Sequence, residues 1–216
     1  MNIILFGAPG SGKGTQGDKL AKEFRLIKIS SGDLLREEIK KDTSLGKEIK
    51  LIIDKGSLVS DDIINKLIEV IISKKTYHNR LIFDGYPRNI NQVENLSNLL
   101  KKYNQKMSSA ISLNVSIDII TKRILGREIC SKCNLIFNKF FYPATKENHK
   151  CEPKYLKTRS DDNEETIKLR YKTYNEQTQP IIKYYKNQNL LHEIDGMKEI
   201  DVIYEEIRAF ISSLDT

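Results

Sequence analysis

At 216 residues, 39% hydrophobic and 30% charged, the chain can bury one domain's core with an inserted lobe or two, and its composition is that of an ordinary soluble protein. Its formal net charge is +7, but lysines are interspersed with Asp and Glu along helix-like stretches. That pattern reads as solvated faces, not as a clustered nucleic-acid surface. Three cysteines, an odd number, argue against a disulfide framework and for a reducing compartment.

The opening MNIILFGAPG has no basic leader, and no run reaches the ~18 apolar residues of a membrane span. A soluble, cytoplasmic protein is expected, with neither membrane nor nucleic acid as partner. Ile3 to Phe6 is a short apolar run ending in glycine, which predicts a buried parallel strand. Gly14 to Phe24 fits a helix. Gly17 inside it costs about 1 kcal/mol relative to alanine, which signals either a looser enzyme or close packing.

Further strands are predicted at Leu26 to Ile29, Leu81 to Phe83, Ala110 to Leu113 and Leu190 to Ile194. Ser60 is placed to cap a helix carrying Ile63, Ile64, Leu67, Ile68 and Ile71. Asp162 and Glu165 have capping-box spacing before Ile167, Tyr171 and Tyr174. Strands alternating with helices imply an α/β fold with a parallel sheet. From about Gly126 to Asp162 the alternation stops, and the segment, rich in aromatics, Lys, Asn and Cys, looks inserted.

GAPGSGKGT, Gly7 to Thr15, lies directly after the first strand and opens the first helix. Glycines there let backbone N–H groups turn inward around phosphate oxygens, and the helix N-terminus adds its positive dipole end. Lys13 would reach the β- and γ-phosphates. Gly14 stands where the general phosphate-loop signature has Ser or Thr, and the hydroxyl comes one residue later, at Thr15. Mg²⁺ would therefore lean on phosphates, water and a carboxylate elsewhere.

ISSGDLLR (29–36), GSLVSDD (56–62), FDGYPRNINQ (83–92) and RSDDNEETIKLR (159–170) occur in that order, and with the phosphate loop they resemble the adenylate kinase family. The resemblance runs from residue 1 into the C-terminal helix. It implies a P-loop NTPase α/β fold, with a parallel five-stranded sheet flanked by helices. The core would be residues 1–29, 60–125 and 163–216, with an AMP-binding insert at 30–59 and a lid at 126–162. It implies reversible transfer of the γ-phosphoryl of MgATP to AMP, giving two ADP, by a monomer.

On that resemblance Gly10, Ser11, Gly12, Lys13, Gly14, Thr15, Arg123, Arg127, Ile136, Phe137 and Lys198 contact ATP. Ser31, Arg36, Ser57, Leu58, Val59, Gly85, Tyr86, Pro87, Arg88, Gln92, Arg159 and Arg170 contact AMP. Asp84 organises Mg²⁺ and its waters, and together with Lys13, Arg88, Arg123, Arg127, Arg159 and Arg170 it makes up the catalytic set. The arginines fit this independently. The chain uses lysine by default, yet six of its nine arginines fall on nucleotide or phosphate positions, where a planar bidentate fork matters. Asp162 is explained by helix capping, with a closing or hinge role for Asp161 and Asp162 as the alternative, and His78 and His192 are read as structural or solvent-facing.

All three cysteines, Cys130, Cys133 and Cys151, lie in the inserted segment. The family resemblance implies a lid held by zinc through Cys-x-x-Cys and a second pair. Here the second pair is altered, because Lys154 stands where a ligand is expected. His149 or Glu152 could complete a structural zinc site; otherwise the lid has lost its metal and keeps its cysteines as small apolar residues. Three rival readings remain. A UMP or CMP kinase is opposed by the long inserted segment. A P-loop switch lacks the guanine-reading Asn-Lys-x-Asp, since Asn65-Lys66 is followed by Leu67 and Ile68. A zinc nucleic-acid module would leave the phosphate loop and the arginines unexplained.

Overall fold

The five expected apolar runs form strands β1 (Asn2–Gly7), β2 (Ile27–Ser30), β3 (Leu81–Asp84), β4 (Ser109–Asn114) and β8 (Leu191–Asp195) of one parallel sheet. The computed structural model describes residues 1–214, and the sheet order is β2-β3-β1-β4-β8. The intervening strands β5 (Arg127–Cys130), β6 (Ile136–Asn138) and β7 (Leu156–Lys157) form a separate antiparallel sheet of order β6-β5-β7. The helices are α1 (Lys13–Glu23), α2 (Ser31–Lys40), α3 (Ser44–Asp54), α4 (Asp61–Ile72), α5 (Ile90–Lys102), α6 (Ile117–Leu125), α7 (Glu164–Thr173), α8 (Gln179–Asn187) and α9 (Ile200–Leu214).

Because strand side chains alternate, β1 feeds two cores at once. Ile4 and Phe6 pack with Phe83 and Ala110 under Ile64 and Ile68 of α4, Val93 and Leu96 of α5, and Ile181 of α8. Ile3 and Leu5 pack with Ile82 and Ile111 on the other face, under Leu20 of α1 and Ile203, Ile207 and Ile211 of α9. Each fully buried Ile or Leu contributes about 1.5–3 kcal/mol, so the sheet is the rigid part. Register places Leu5 opposite Asp84 and Gly7 opposite Leu113, so the phosphate loop and Asp84 emerge together at the carboxyl ends of the strands.

Gly12 starts α1 with φ +101, a conformation that favours glycine. Gly17 is buried, and a Cβ there would come within 3.0 Å of the Lys28 side chain and 3.2 Å of Leu5. Close packing of α1 on the sheet therefore accounts for that glycine.

Two capping expectations are corrected. The side chain that caps α7 belongs to Asn163, which accepts from Thr166 N at 3.0 Å; Asp162 pairs with Arg127 instead. A carboxylate beside a half-buried guanidinium gains more than it would at a solvent-exposed helix end. Ser60 sits at the N-cap of α4 but makes no side-chain cap bond, leaving Asp61 and Asp62 of the first turn to oppose the helix dipole. Between α7 and α8, Tyr174–Thr178 adopts a π-helical turn just ahead of Pro180, which has no N–H to continue an α-helical ladder. Among the described residues no helix is long and apolar enough to cross a membrane.

Candidate active site

A cavity of about 740 Å³ opens at the carboxyl ends of the strands. Gly10 to Thr15 form its floor, Ser57, Leu58 and Val59 one wall, and Ile136, Phe137 and Phe141 its cover; Lys198 lies at the edge. Lys13, Arg36, Arg88, Arg123, Arg127, Arg159 and Arg170 all line it, with Asp84, Gly85 and Pro87. Chain segments far apart in sequence thus bring Lys13 and six arginines to one space.

Lys13 curls back into the phosphate loop, donating to Gly7 O at 2.6 Å and Ala8 O at 3.0 Å. Burial pushes its pKa down to about 8, with Asp84 partly opposing the shift and Arg88 and Arg170 adding to it. A methyl at Gly14 would stand 3.7 Å from Asp84 Oδ2, which places that carboxylate against the mouth of the loop.

The hydrogen-bond partners of the Arg88 guanidinium are neutral groups. Its Nε donates to Gly85 O at 2.6 Å and its Nη2 to Ser31 Oγ at 3.1 Å. Its carbonyl accepts from Thr178 Oγ1 at 3.0 Å, a contact made by the π-helical turn and unsignalled in the sequence. Burial, then the neighbouring Arg170, push its pKa down to about 10, so the group stays charged near neutrality. Burial likewise pushes Arg159 down to about 10, and its buried Nε has no hydrogen-bond partner; nor does the buried Ser11 Oγ. Buried donors left this way call for an acceptor.

Other arginines have carboxylates. Arg127 Nε bonds Asp162 Oδ2 at 2.8 Å, Arg170 bonds Asp161 at 2.7 Å, and Arg36 pairs with Asp33. Sequence reasoning read Asp162 as a cap and missed this bracing of two cavity arginines. Three expected contact residues stand behind the wall instead of lining the cavity. Ser31 Oγ donates to Gly85 O, the Tyr86 hydroxyl donates to Asn65 at 2.8 Å, and both ends of the Gln92 amide are engaged by Asp61 and Arg88 N.

Phe137 lines the cavity, while its ring is buried, stacked on Tyr142 at 5.9 Å and edge-on to His149 at 4.9 Å. The aromatic ring beside a cavity cation is that of Phe141, with Arg123 Cζ 5.9 Å from its centroid. Arg123 itself is tethered to Gly196 O at 2.9 Å. The paired Phe140-Phe141 was the only sequence signal for this. Lys198 pairs with Glu206 at 3.0 Å.

In the lid, the sulfurs of Cys130, Cys133 and Cys151 and one imidazole nitrogen of His149 all lie within 4.8 Å of one another. His149 Nε2 is buried with no hydrogen-bond partner. Glu152 is outside this cluster and pairs with Lys154 at 2.8 Å. Three thiols and an imidazole are a donor set for tetrahedral zinc. His78 lies at the end of a short 3₁₀ turn and His192 stacks on Phe210.

Fold and cavity define a phosphate-loop α/β protein with a cation-lined site for polyphosphate chemistry. The adenylate kinase family model matches residues 5–190. An adenylate kinase of Pelagibacter ubique is 46% identical over 98% of this chain and 99% of its own length. One from Elusimicrobium minutum is 41% identical over 98% and 99%, and one from Archaeoglobus fulgidus 36% over 99% of each. The chain belongs to the adenylate kinase family.

Proposed function

We propose that this chain transfers the γ-phosphoryl of MgATP reversibly to AMP, giving two ADP. The single observation that carries the reading is the group of cavity cations without carboxylate partners, Lys13, Arg88 and Arg159, beside two arginines braced by Asp161 and Asp162. Phosphoryl transfer asks little covalent chemistry of a protein. It asks that two polyanions be aligned in line, their charge neutralised and water kept out.

In this reading the loop Gly10 to Thr15 cradles the donor phosphates, and Lys13 swings from Gly7 O and Ala8 O onto the β- and γ-oxygens. Arg88 and Arg36 hold the acceptor phosphate, while Arg127, Arg159 and Arg170 gather the charge of the transferring group. Arg123 and Phe141 flank the donor base, with the backbone at Ile136, Phe137 and Lys198 around it. Ser57 to Val59, Gly85 and Pro87 line the acceptor side, supported by Ser31, Tyr86 and Gln92. Asp84 would hold Mg²⁺, which would supply positive charge against the donor phosphates. Residues 30–59 and 126–162 close over residues 1–29, 60–125 and 163–216. A monomer is what the family resemblance implies, and the three free thiols fit a reducing cytoplasm.

The lid carries a structural zinc ion held by Cys130, Cys133, His149 and Cys151. What supports this, beyond the donor set, is the poverty of the lid's core: between Arg127 and Ser160 only Cys130, Phe137 and His149 are buried. Three buried side chains under strands of two to four residues are too few to hold a sheet without a staple. Initial rates with AMP, UMP, CMP and GMP as acceptors test the function. Fast turnover on AMP alone is expected, whereas preference for UMP or CMP would move the chain to a neighbouring specificity.

A further inference from the structure

The turn that follows β6 is folded around the amide of Asn138. Its Oδ1 accepts from Phe140 N at 3.0 Å and Phe141 N at 3.2 Å, while its Nδ2 donates to Arg123 O at 2.7 Å. A carbonyl only accepts and an N–H only donates, so the amide has one orientation. Arg123 lies in the last turn of α6, where carbonyls lack a partner within the helix, and the amide satisfies one of them. The packing leaves no slack. A methyl on Gly126, between α6 and β5, would stand 2.7 Å from Asn138 Oδ1 and 2.6 Å from the Phe140 ring.

Backbone bonds hold the ends of this turn. Asn138 and Tyr142 exchange N–H···O bonds at 2.8 and 3.0 Å, and Lys139 N donates to Gly126 O at 2.8 Å. Inside the turn, the N–H groups of Phe140 and Phe141 converge on Asn138 Oδ1, and that convergence sets where the Phe141 ring stands. The Arg123 guanidinium is tethered from the other side, at Gly196 O. One amide therefore spans from the helix that carries the cation to the turn that carries the ring, and cation and ring both line the cavity.

Resting on the reading of Arg123 and Phe141 as flanking the donor base, we propose that Asn138 is the positioning residue of that site. A guanidinium and an aromatic ring hold a planar base only when their separation suits its thickness. Asn138 sets that separation by fixing Phe141 against α6. Its whole effect on the nucleotide passes through the Phe141 ring, so it should vanish when the ring is removed.

Titration calorimetry on the full chain tests this, with ATP and with inorganic tripolyphosphate, which has the phosphates but no base. Asn138→Ala, and Asn138→Gln with its amide a methylene too far out, should each weaken ATP about tenfold, within the range of base–aromatic stacking. Tripolyphosphate binding should stay unchanged. Phe141→Ala should do the same, and adding Asn138→Ala to it should weaken ATP no further. ATP binding unmoved in whichever Asn138 variant folds, ATP and tripolyphosphate weakened in parallel, or losses that add in the double variant would each overturn the proposal. If Phe141→Ala leaves ATP binding unaltered, the donor-base reading fails and the Asn138 assignment falls with it. If Phe141→Ala weakens ATP while the Asn138 variants do not, only the Asn138 assignment fails.

Discussion

Ile82, in the parallel sheet, is wholly buried between two helix layers, whereas Cys133, in the inserted segment, is exposed beside three other potential metal ligands. The sheet is held by apolar area on both faces, the lid by three buried side chains and a cluster of thiols and imidazole. The part that must stay still is stabilised by many small contributions that no single change removes. The part that, in the proposed function, opens and closes over the nucleotides rests on few contacts, concentrated in one place. The cavity lies where the two meet, with its lysine on the sheet side and Arg127, Arg159 and Phe141 on the lid side.

The largest effect should come from a change that alters neither region's packing. Lys13→Ala should lower kcat/KM by about 10³-fold, as expected for removing a preorganised charge from the transferring group. Thermal unfolding should be unchanged or slightly raised, because the substitution removes a buried cation. A comparable loss accompanied by unfolding would mean that Lys13 is structural.

Next in size are cavity-forming changes in the sheet. Ile82→Ala should cost about 2–5 kcal/mol in a denaturant titration, whereas Ile129→Ala in the half-buried β5 of the lid should cost less than about 1 kcal/mol. Equal costs would erase the distinction between the regions.

Chelation should do the reverse. With Mg²⁺ restored, stripping the lid metal should raise amide exchange across residues 127–157 and lower the melting temperature by a few degrees, leaving exchange in β1, β3 and β4 unaltered. Unchanged lid exchange would show that the thiols hold no metal.

The smallest effect is a pH dependence. Lys13 titrates near pH 8 in the folded chain against 10.5 for an unburied lysine, so between those values the unfolded chain binds more protons and stability rises with pH. The burial cost is full below about pH 8 and is relieved above it; Lys13→Ala should abolish that rise. Phosphates drawing Lys13 back to its charged form should make ATP binding take up a proton at about pH 9, read by calorimetry in buffers of different ionisation enthalpy.

The sheet was legible because its information is local: five apolar runs at the right spacing, each within a residue or two of the observed strand. The phosphate loop and the arginines were legible because glycine spacing and the choice of arginine over lysine carry chemistry directly. What escaped depends on who a side chain meets. Asp162 has capping spacing, but only the fold brings Arg127 to it, and Asn163 one residue later takes the cap. Phe137 and Phe141 look alike in sequence; Phe137 lies in β6 with its ring buried, whereas Phe141 lies in the turn that follows, beside Arg123. His149 and Glu152 were equal candidates in the sequence; the fold brings the imidazole to the sulfurs and leaves Glu152 outside the cluster, exposed beside Lys154.

The most direct test is ³¹P NMR of the full chain with Mg²⁺, ATP and AMP. Two ADP should appear for each ATP and AMP consumed, approaching equilibrium with no inorganic phosphate released. Inorganic phosphate growing in step with ADP while AMP stays constant would make the cavity a hydrolytic site and contradict the account.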